Sequence, residues 1–367
     1  MPRPSSTKSI LPDIVAAMKK SQASKPIVAV DLFCGVGGLS YGLKQAGIDV
    51  RAGYDLDGEC SYAYEANIGA PFICKDVRHV TAKEIKDHFP PGCISLLAGC
   101  APCQPFSSHM RGQDTSKDEK WTLLDEFSRL ARAVRPHLIT MENVVRISGT
   151  DVFQSFVQSL EDEGYSVAYR SCFGPRFGLA QNRRRLVLVA SRITSIDPVP
   201  DSIGPMEAPT VRQVIGNLPP LEAGSCDASD SLHRARTLTP INLARMRASR
   251  PGGTWRDWPQ DLLAPCHARS TGASFQSVYA RMEWDKPSPT ITTQAFNFGT
   301  GRFGHPSQDR ALTLRESAML QGFPETYKFV KPNDEITFLN VGRQIGNAVP
   351  PPLGKAIGAH FKEHLGS

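Results

Sequence analysis

PIVAVDLFCGVGGLSYGLKQA, residues 26–46, is an apolar run that ends at Gly35, Gly37 and Gly38 and then continues at helical spacing. A short apolar run bounded by glycines predicts a buried strand, and the glycines predict a tight turn that lets a ligand approach the backbone. The spacing is not GxGxxG, so no dinucleotide fingerprint is present, and no GK[ST] follows, so the turn is not a P-loop. Taken alone, the segment reads equally well as a packing turn.

Working outward, further apolar runs recur. Ile48–Tyr54 ends at Asp55, Ile94–Ala98 enters a loop rich in turn residues, and His137–Met141 ends at Glu142. Tyr165–Cys172 and Leu186–Ala190 read as later strands. Between them, Trp121–Val134 carries Leu123, Leu124, Phe127, Leu130 and Val134 at helical spacing. Strands alternating with helices predict an α/β fold: a mixed, mostly parallel sheet covered by helices on both faces.

The pattern changes after Ser191. Pro, Gly, Ser and Arg become frequent and periodicity fades until about Arg310, where Leu314, Ala318 and Leu320 resume helical spacing. Gly346 to Phe361 reads as a loop and a closing helix. The expected division is an arm at 1–25, an α/β domain at 26–190 and 336–367, and a smaller irregular domain at 191–335. In the arm, Ile10, Leu11, Ile14, Val15 and Met18 fit a short amphipathic helix.

Bulk properties narrow the setting. The 367 residues are 40% hydrophobic and 21% charged, enough to bury a core. A net charge of +6 is compatible with nucleic acid without arguing for it. No apolar run approaches the roughly 18–20 residues that span a bilayer, and the N-terminus lacks a secretory apolar region. Nine cysteines at irregular spacing fit reduced thiols in a cytoplasm. No metal is expected.

Several segments carry chemistry. Asp55 closes the second strand, where an acidic residue can accept from ribose hydroxyls. Asp76, after a short apolar run, could meet an adenine amino group; each acid alone is equally a turn or cap residue. APCQPFS, residues 101–107, sets Cys103 between prolines just past a buried strand, a stiff placement that suits a catalytic thiolate. A structural cysteine, or a redox pair with Cys100, remain alternatives. Glu142 ends the next strand on the same sheet edge. QNRRR, residues 181–185, precedes another strand, and alternation puts Arg183 and Arg185 on one face. They could pair with Glu142 or a phosphate, or form an exposed basic patch.

In this order the segments resemble the C5-cytosine DNA methyltransferase family of the bacterial type. The matching stretches are DLFCGVGG (31–38), YDLD (54–57), KDV (75–77), PCQPFS (102–107), ENV (142–144), QNRRR (181–185), RALTLRESAMLQGFP (310–324) and QIGNAVP (344–350). The likeness covers about Val28 to Leu353; each motif is modest and the ordered set is specific.

The resemblance implies an S-adenosylmethionine (AdoMet)-dependent, Rossmann-like methyltransferase domain with a smaller target-recognition domain. It implies AdoMet as cofactor and S-adenosylhomocysteine as product. Asp31, Phe33, Gly35, Gly37, Gly38, Asp55, Leu56, Asp76 and Val77 would form the cofactor site. Pro102, Leu123, Asn347 and Val349 would complete it, Asn347 bringing the C-terminal motif beside the glycine loop. Cys103 would be the nucleophile, Glu142 would face the N3 and N4 edge of cytosine, and Arg183 and Arg185 would buttress it. Trp121 stands where the family has a glycine, a departure from the family's pattern in that loop.

The implied chemistry explains these residue types. A thiolate added to C6 makes C5 nucleophilic toward the methyl group, dividing one hard step into easier ones. The base must leave the duplex for this, as in other base-flipping enzymes, among which methyltransferases are counted. The polar stretch Gln104–Lys120 reads as a loop closing over DNA, with an ungated surface loop as the alternative. Ser231–Arg256 holds six arginines and no acid. Gln104, Ser107, Arg111, Arg234, Arg236, Arg245 and Arg302 are the expected DNA contacts.

Double-stranded DNA is the expected partner of a bacterial, cytoplasmic, nucleoid-associated monomer. A restriction endonuclease acting on the same site without a stable complex is a further expected counterpart, an orphan enzyme the alternative. Rival readings are a tRNA cytosine methyltransferase, whose CysPheThr motif is absent here, an inactive DNA-binding regulator, and a thiol redox protein.

Overall fold

The computed structural model describes residues 25–102, 122–204, 208–265, 267, 269 and 277–366. All but the last residue of the expected arm, the loop expected at 104–120 and the expected site residues Cys103, Gln104, Ser107 and Arg111 lie outside them.

The chain opens with β1 (Ile27–Leu32), α1 (Gly38–Gln45), β2 (Asp49–Asp55), α2 (Ser61–Ile68), β3 (Phe72–Cys74) and α3 (Ala82–Lys86). It continues through β4 (Ile94–Gly99), α4 (Thr122–Val134), β5 (Leu138–Asn143), α5 (Asp151–Asp162), β6 (Ser166–Phe173), β7 (Gln181–Asn182) and β8 (Arg184–Ser191). Seven strands form one sheet in the order β3-β2-β1-β4-β5-β8-β6. The first five pair in parallel, and β8 runs antiparallel between β5 and β6.

Why these strands read as unbroken apolar runs is visible in their burial. Every residue of β1, β4 and β5 is buried, as expected where helices cover both faces of a sheet. Side chains alternate between two cores. Ile27, Ala29, Ile94 and Leu96 face one, with Leu43, Ile357 and Phe361. Val30, Leu32 and Leu97 face the other, with Phe127, Leu130 and Leu160.

Beyond Ser191 regular structure is sparse: α6 (Val211–Ile215), α7 (Pro240–Ala248), β9 (Ser288–Pro289) and α8 (Leu314–Leu320). β7 and β9 form a two-stranded ribbon. Backbone carbonyls left without ladder partners need other donors, and buried arginines supply them. Arg281 donates to the carbonyls of Met246, Ser249, His305 and Gln308. Arg310, fully buried, forms a two-pronged pair with Glu316 at 2.7 Å on each arm. Glu316 also caps α8 by accepting from the Thr313 backbone. A third core, with Ile291, Phe296, Leu320, Phe323 and Tyr327, includes Val36 of the glycine loop. The irregular region is therefore fastened to the sheet domain.

The C-terminal stretch holds the expected loop and closing helix, and one helix more before them. A ten-residue helix, α9 (Phe338–Asn347), precedes α10 (Pro351–Leu365). Gly342 and Gly346 lower helix propensity, yet packing requires them: a Cβ on Gly342 would lie 2.4 Å from Phe296. Among the described residues, no helix is long and apolar enough to cross a membrane.

Candidate active site

The chain runs from β1 outward to β3, then returns to place β4 on the other side of β1. Ligands of open α/β sheets bind at the carboxyl ends of strands beside such a reversal. A cavity of about 340 Å³ lies there. Its walls come from Asp31 and Phe33 at β1, Asp55 at β2, Cys100 to Pro102 after β4, and Glu142 and Asn143 at β5. Arg183 and Arg185 close one side, and residues 343, 344 and 346–349 another.

One half of the cavity, where the sequence reading expects the cofactor, is built around the glycine loop. Asp31 is 1% exposed. Its Oδ2 accepts from Ser40 Oγ at 2.6 Å, and that hydroxyl lies 3.0 Å from Tyr64 Oη. Asp31 Oδ1 has no hydrogen-bond partner. Burial is the main cause that raises the Asp31 pKa to about 7. Asp55 Oδ2 accepts from Gly35 N at 2.8 Å and Oδ1 from Asp57 N at 2.9 Å. Burial raises this carboxyl as well, against those hydrogen bonds. A Cβ on Gly38 would lie 2.1 Å from the Val349 carbonyl. Glycine there is what lets the C-terminal motif sit beside the loop.

The other half joins β4, β5 and β8. Glu142 is 3% exposed. Its Oε2 accepts from Cys100 Sγ at 3.0 Å. Its Oε1 lies 3.1 Å from Arg185 Nε, without an aligned hydrogen bond. Arg183 is buried. It donates to the carbonyls of Ile291 and Ala348, while its Nε has no partner. Burial, then the neighbouring Arg185, presses its pKa down to about 9, which leaves it charged at neutral pH. Asn143 Nδ2 donates to Ala101 O at 3.1 Å. That bond ties the end of β5 to the backbone two residues before Cys103.

Of the residues singled out in the sequence, the cavity gathers Asp31, Phe33, Gly35, Asp55, Pro102, Glu142, Arg183, Arg185, Asn347 and Val349. Gly37, Gly38, Leu56, Asp76, Val77 and Leu123 are not among its lining residues. Leu56 is exposed, and Val77 and Leu123 pack on the second core. Asp76 accepts from Arg78 N at 2.9 Å and pairs with the Arg78 guanidinium, which holds its carboxyl down at about 2.

The arginines expected to touch DNA are used unevenly. Arg245 donates to Leu262 O and Asn242 Oδ1, and Arg302 to the carbonyls of Gly253 and Arg281. Arg234 donates to Ile336 O. Arg236 is exposed, with its guanidinium 5.9 Å from the Phe296 ring. The sequence reading weighed Cys100 only as a redox partner of Cys103 and singled out neither Asn143 nor Arg343. Asn143 adjoins a recognised acid. Arg343 pairs with Asp57 across the cavity and could be found only from the fold. Among the described residues no group of three or more His, Cys, Asp or Glu could hold a metal.

Comparison with known proteins identifies the family. The family model for C-5 cytosine-specific DNA methylase matches residues 27–363. The chain is 48% identical to the Type II methylase M.HgiDII of Herpetosiphon aurantiacus, covering 92% of this chain and 95% of that one. It is 28% identical to DNA (cytosine-5)-methyltransferase 4 of Arabidopsis thaliana, covering 93% of this chain but only 29% of that longer protein. A crystal structure of a protein assigned as a DNA modification methyltransferase from an E. coli prophage shares the fold. The TM-score is 0.71 at 20% identity, over 93% of this chain and 100% of that one. With a family match over residues 27–363, the chain belongs to the C-5 cytosine-specific DNA methylases, enzymes of the DNA (cytosine-5)-methyltransferase class.

Proposed function

We propose that the chain methylates carbon 5 of a cytosine turned out of duplex DNA, with Cys103 adding to C6 and S-adenosylmethionine as methyl donor. The observation that carries this reading is the buried Glu142 carboxyl. It shares one cavity with the glycine loop, and its neighbour Asn143 fastens the backbone leading to Cys103.

The cofactor half fits S-adenosylmethionine on the structure's own terms. Asp31 Oδ1 is a buried acceptor without a partner, suited to a cationic amino group. Asp55 stands at the end of β2, where ribose hydroxyls would meet it. Phe33 and Val349 supply apolar wall. When bound, the cofactor supplies an electrophilic methyl group. The chain's own residues do the rest.

The Cys103 thiolate bonds to C6, and the displaced electron pair makes C5 nucleophilic. Glu142 meets the N3 and N4 edge and passes a proton to N3 as negative charge develops on the ring, taking it back when the ring is restored, help typically worth ~10²–10⁴-fold. Arg185 holds the Glu142 carboxyl, and Arg183, whose Nε is unpartnered, lines the same cavity. After methyl transfer a base, water among the options, takes the C5 proton, and Cys103 leaves with the electron pair of its bond to C6. Taking the base out of the stack costs roughly a few kcal/mol.

The region 191–335 acts as the target-recognition domain, and Arg236 is its exposed arginine from the expected set. Likeness to a Type II methylase supports a role beside a restriction endonuclease of the same specificity. It equally supports action on bacterial cytoplasmic DNA. DNA rather than tRNA is the substrate this family match favours.

Cys103→Ser tests the covalent step. The variant should lose methyl transfer to DNA while binding S-adenosylmethionine nearly as the wild type does. Retained turnover would remove the covalent mechanism.

A further inference from the structure

We infer that Cys100 is a positioning residue for methyl transfer: its thiol holds Oε2 of Glu142 and so decides that Oε1 is the oxygen offered to the cytosine edge. This rests on the reading of Glu142 as the carboxyl that meets the base.

The placement follows from strand register. Gly99 at the end of β4 pairs with Met141 on β5, so the next residues, Cys100 and Glu142, face each other. The thiol donates to Oε2 at 3.0 Å. Both residues line the cavity. Cys100 is held from two directions. Its own N–H donates to Leu32 O at 3.3 Å, and Asn143 Nδ2 grips the next carbonyl, that of Ala101.

The two carboxyl oxygens are left unequal. Oε2 is engaged by the thiol. Oε1 is buried, has Arg185 Nε at 3.1 Å and lacks an aligned hydrogen bond. A buried acceptor with an unfilled lone pair is costly unless a ligand completes it. The flipped base is the ligand that the cavity is shaped to receive. A thiol suits the orienting task because it is a weak, neutral donor. It fixes the carboxyl rotamer without adding a second positive charge to the one Arg185 brings. The preference for Oε1 as the reacting oxygen is therefore built on the β4 side of the site, outside the Glu142 and arginine motifs themselves.

The test uses the full chain, unmethylated plasmid DNA and S-adenosylmethionine, with Cys100→Ala, Cys100→Ser, Glu142→Gln and the double variant Cys100→Ala/Glu142→Gln. Single-turnover and steady-state rates are read beside cofactor binding. Losing a hydrogen bond to a charged group should lower kcat about tenfold in Cys100→Ala, with KM for DNA and cofactor affinity unchanged. Cys100→Ser, which still donates, should restore most of the loss. In the Glu142→Gln background, Cys100→Ala should cost nothing further, because the oxygen it orients is no longer a carboxylate. Should the alanine variant fail to bind cofactor, Cys100→Val keeps the bulk without the donor and should show the same fall in kcat.

Wild-type kcat in Cys100→Ala, an equal loss with serine, or the same loss with and without Glu142 would each overturn the inference. If Glu142→Gln itself turns over at the wild-type rate, the reading of Glu142 fails and the inference falls with it. If Glu142→Gln is slow and Cys100→Ala is silent, only the role of Cys100 is refuted.

Discussion

Asp31 is a buried side chain whose proton balance would respond to the proposed cofactor. Its pKa stands at about 7, well above the ordinary carboxyl value, because burial disfavours the charged form. The neutral form therefore suits the fold. The resulting stabilisation is complete below about pH 4 and is lost as pH rises through 7. A cationic amino group at Oδ1 would favour the ionised form instead. Cofactor affinity, measured by calorimetry, should strengthen from about pH 6 to about pH 7.5, below the range where a typical α-amino group loses its proton. Asp31→Asn should bind more weakly at pH 7.5 and flatten that dependence. A wild-type affinity independent of pH across this window would contradict the role given to Oδ1. The sequence exposed Asp31, Asp55 and Glu142 because each ends a strand that reads as an apolar run. It did not expose Cys100, because a thiol's role depends on what the neighbouring strand places opposite it. Nor could it show that Asp76 is engaged by Arg78 or that Arg245 and Arg302 serve the protein's own carbonyls. Hydrogen-bond partners are set by tertiary approach, not by residue type.

At the scale of elements, α8 is pinned by a charged pair inside a core. Arg310 and Glu316 are both fully buried, with His305 beside them. Burial presses the His305 pKa down to about 4, and the Arg310 guanidinium keeps Glu316 below its usual value despite burial. Removing one partner leaves an uncompensated buried charge, typically a loss of 3–5 kcal/mol. Glu316→Gln should lose about that much in urea unfolding. Arg310→Met/Glu316→Met should lose clearly less, since neither residue then leaves a charge behind. Equal losses would mean that packing alone accounts for the helix. His305 adds a pH effect of known sign. Its folded value lies below the ordinary 6.5, so its contribution is present above that pH and is lost as pH falls from 6.5 through about 4. The strands of the sheet and α4 were legible from periodicity. The helix α9 was not, because Gly342 and Gly346 break its pattern to admit Phe296 and the 292–293 backbone.

Across the whole molecule, an irregular region of sparse regular structure is joined to a mixed sheet by a shared core and by polar ties near the site. Gln181 and Gln321 are fully buried and bonded to each other at 2.8 Å, and Gln321 donates to the Ala348 carbonyl. Gln181 Oε1 accepts from Ile291 N, and Arg183 donates to Ile291 O. Arg183, a wall of the cavity, is thus coupled to residues of the region that would hold the target. The change of character after Ser191 was plain in the composition, but how that region fastens to the site was not, since its contacts run between residues over a hundred positions apart.

The most direct measurement is bisulfite sequencing of DNA from cells expressing the chain, beside cells expressing Cys103→Ser. The account predicts modified cytosines at one short sequence in the first and none in the second. Unmodified DNA in both, or equal modification in both, would contradict it.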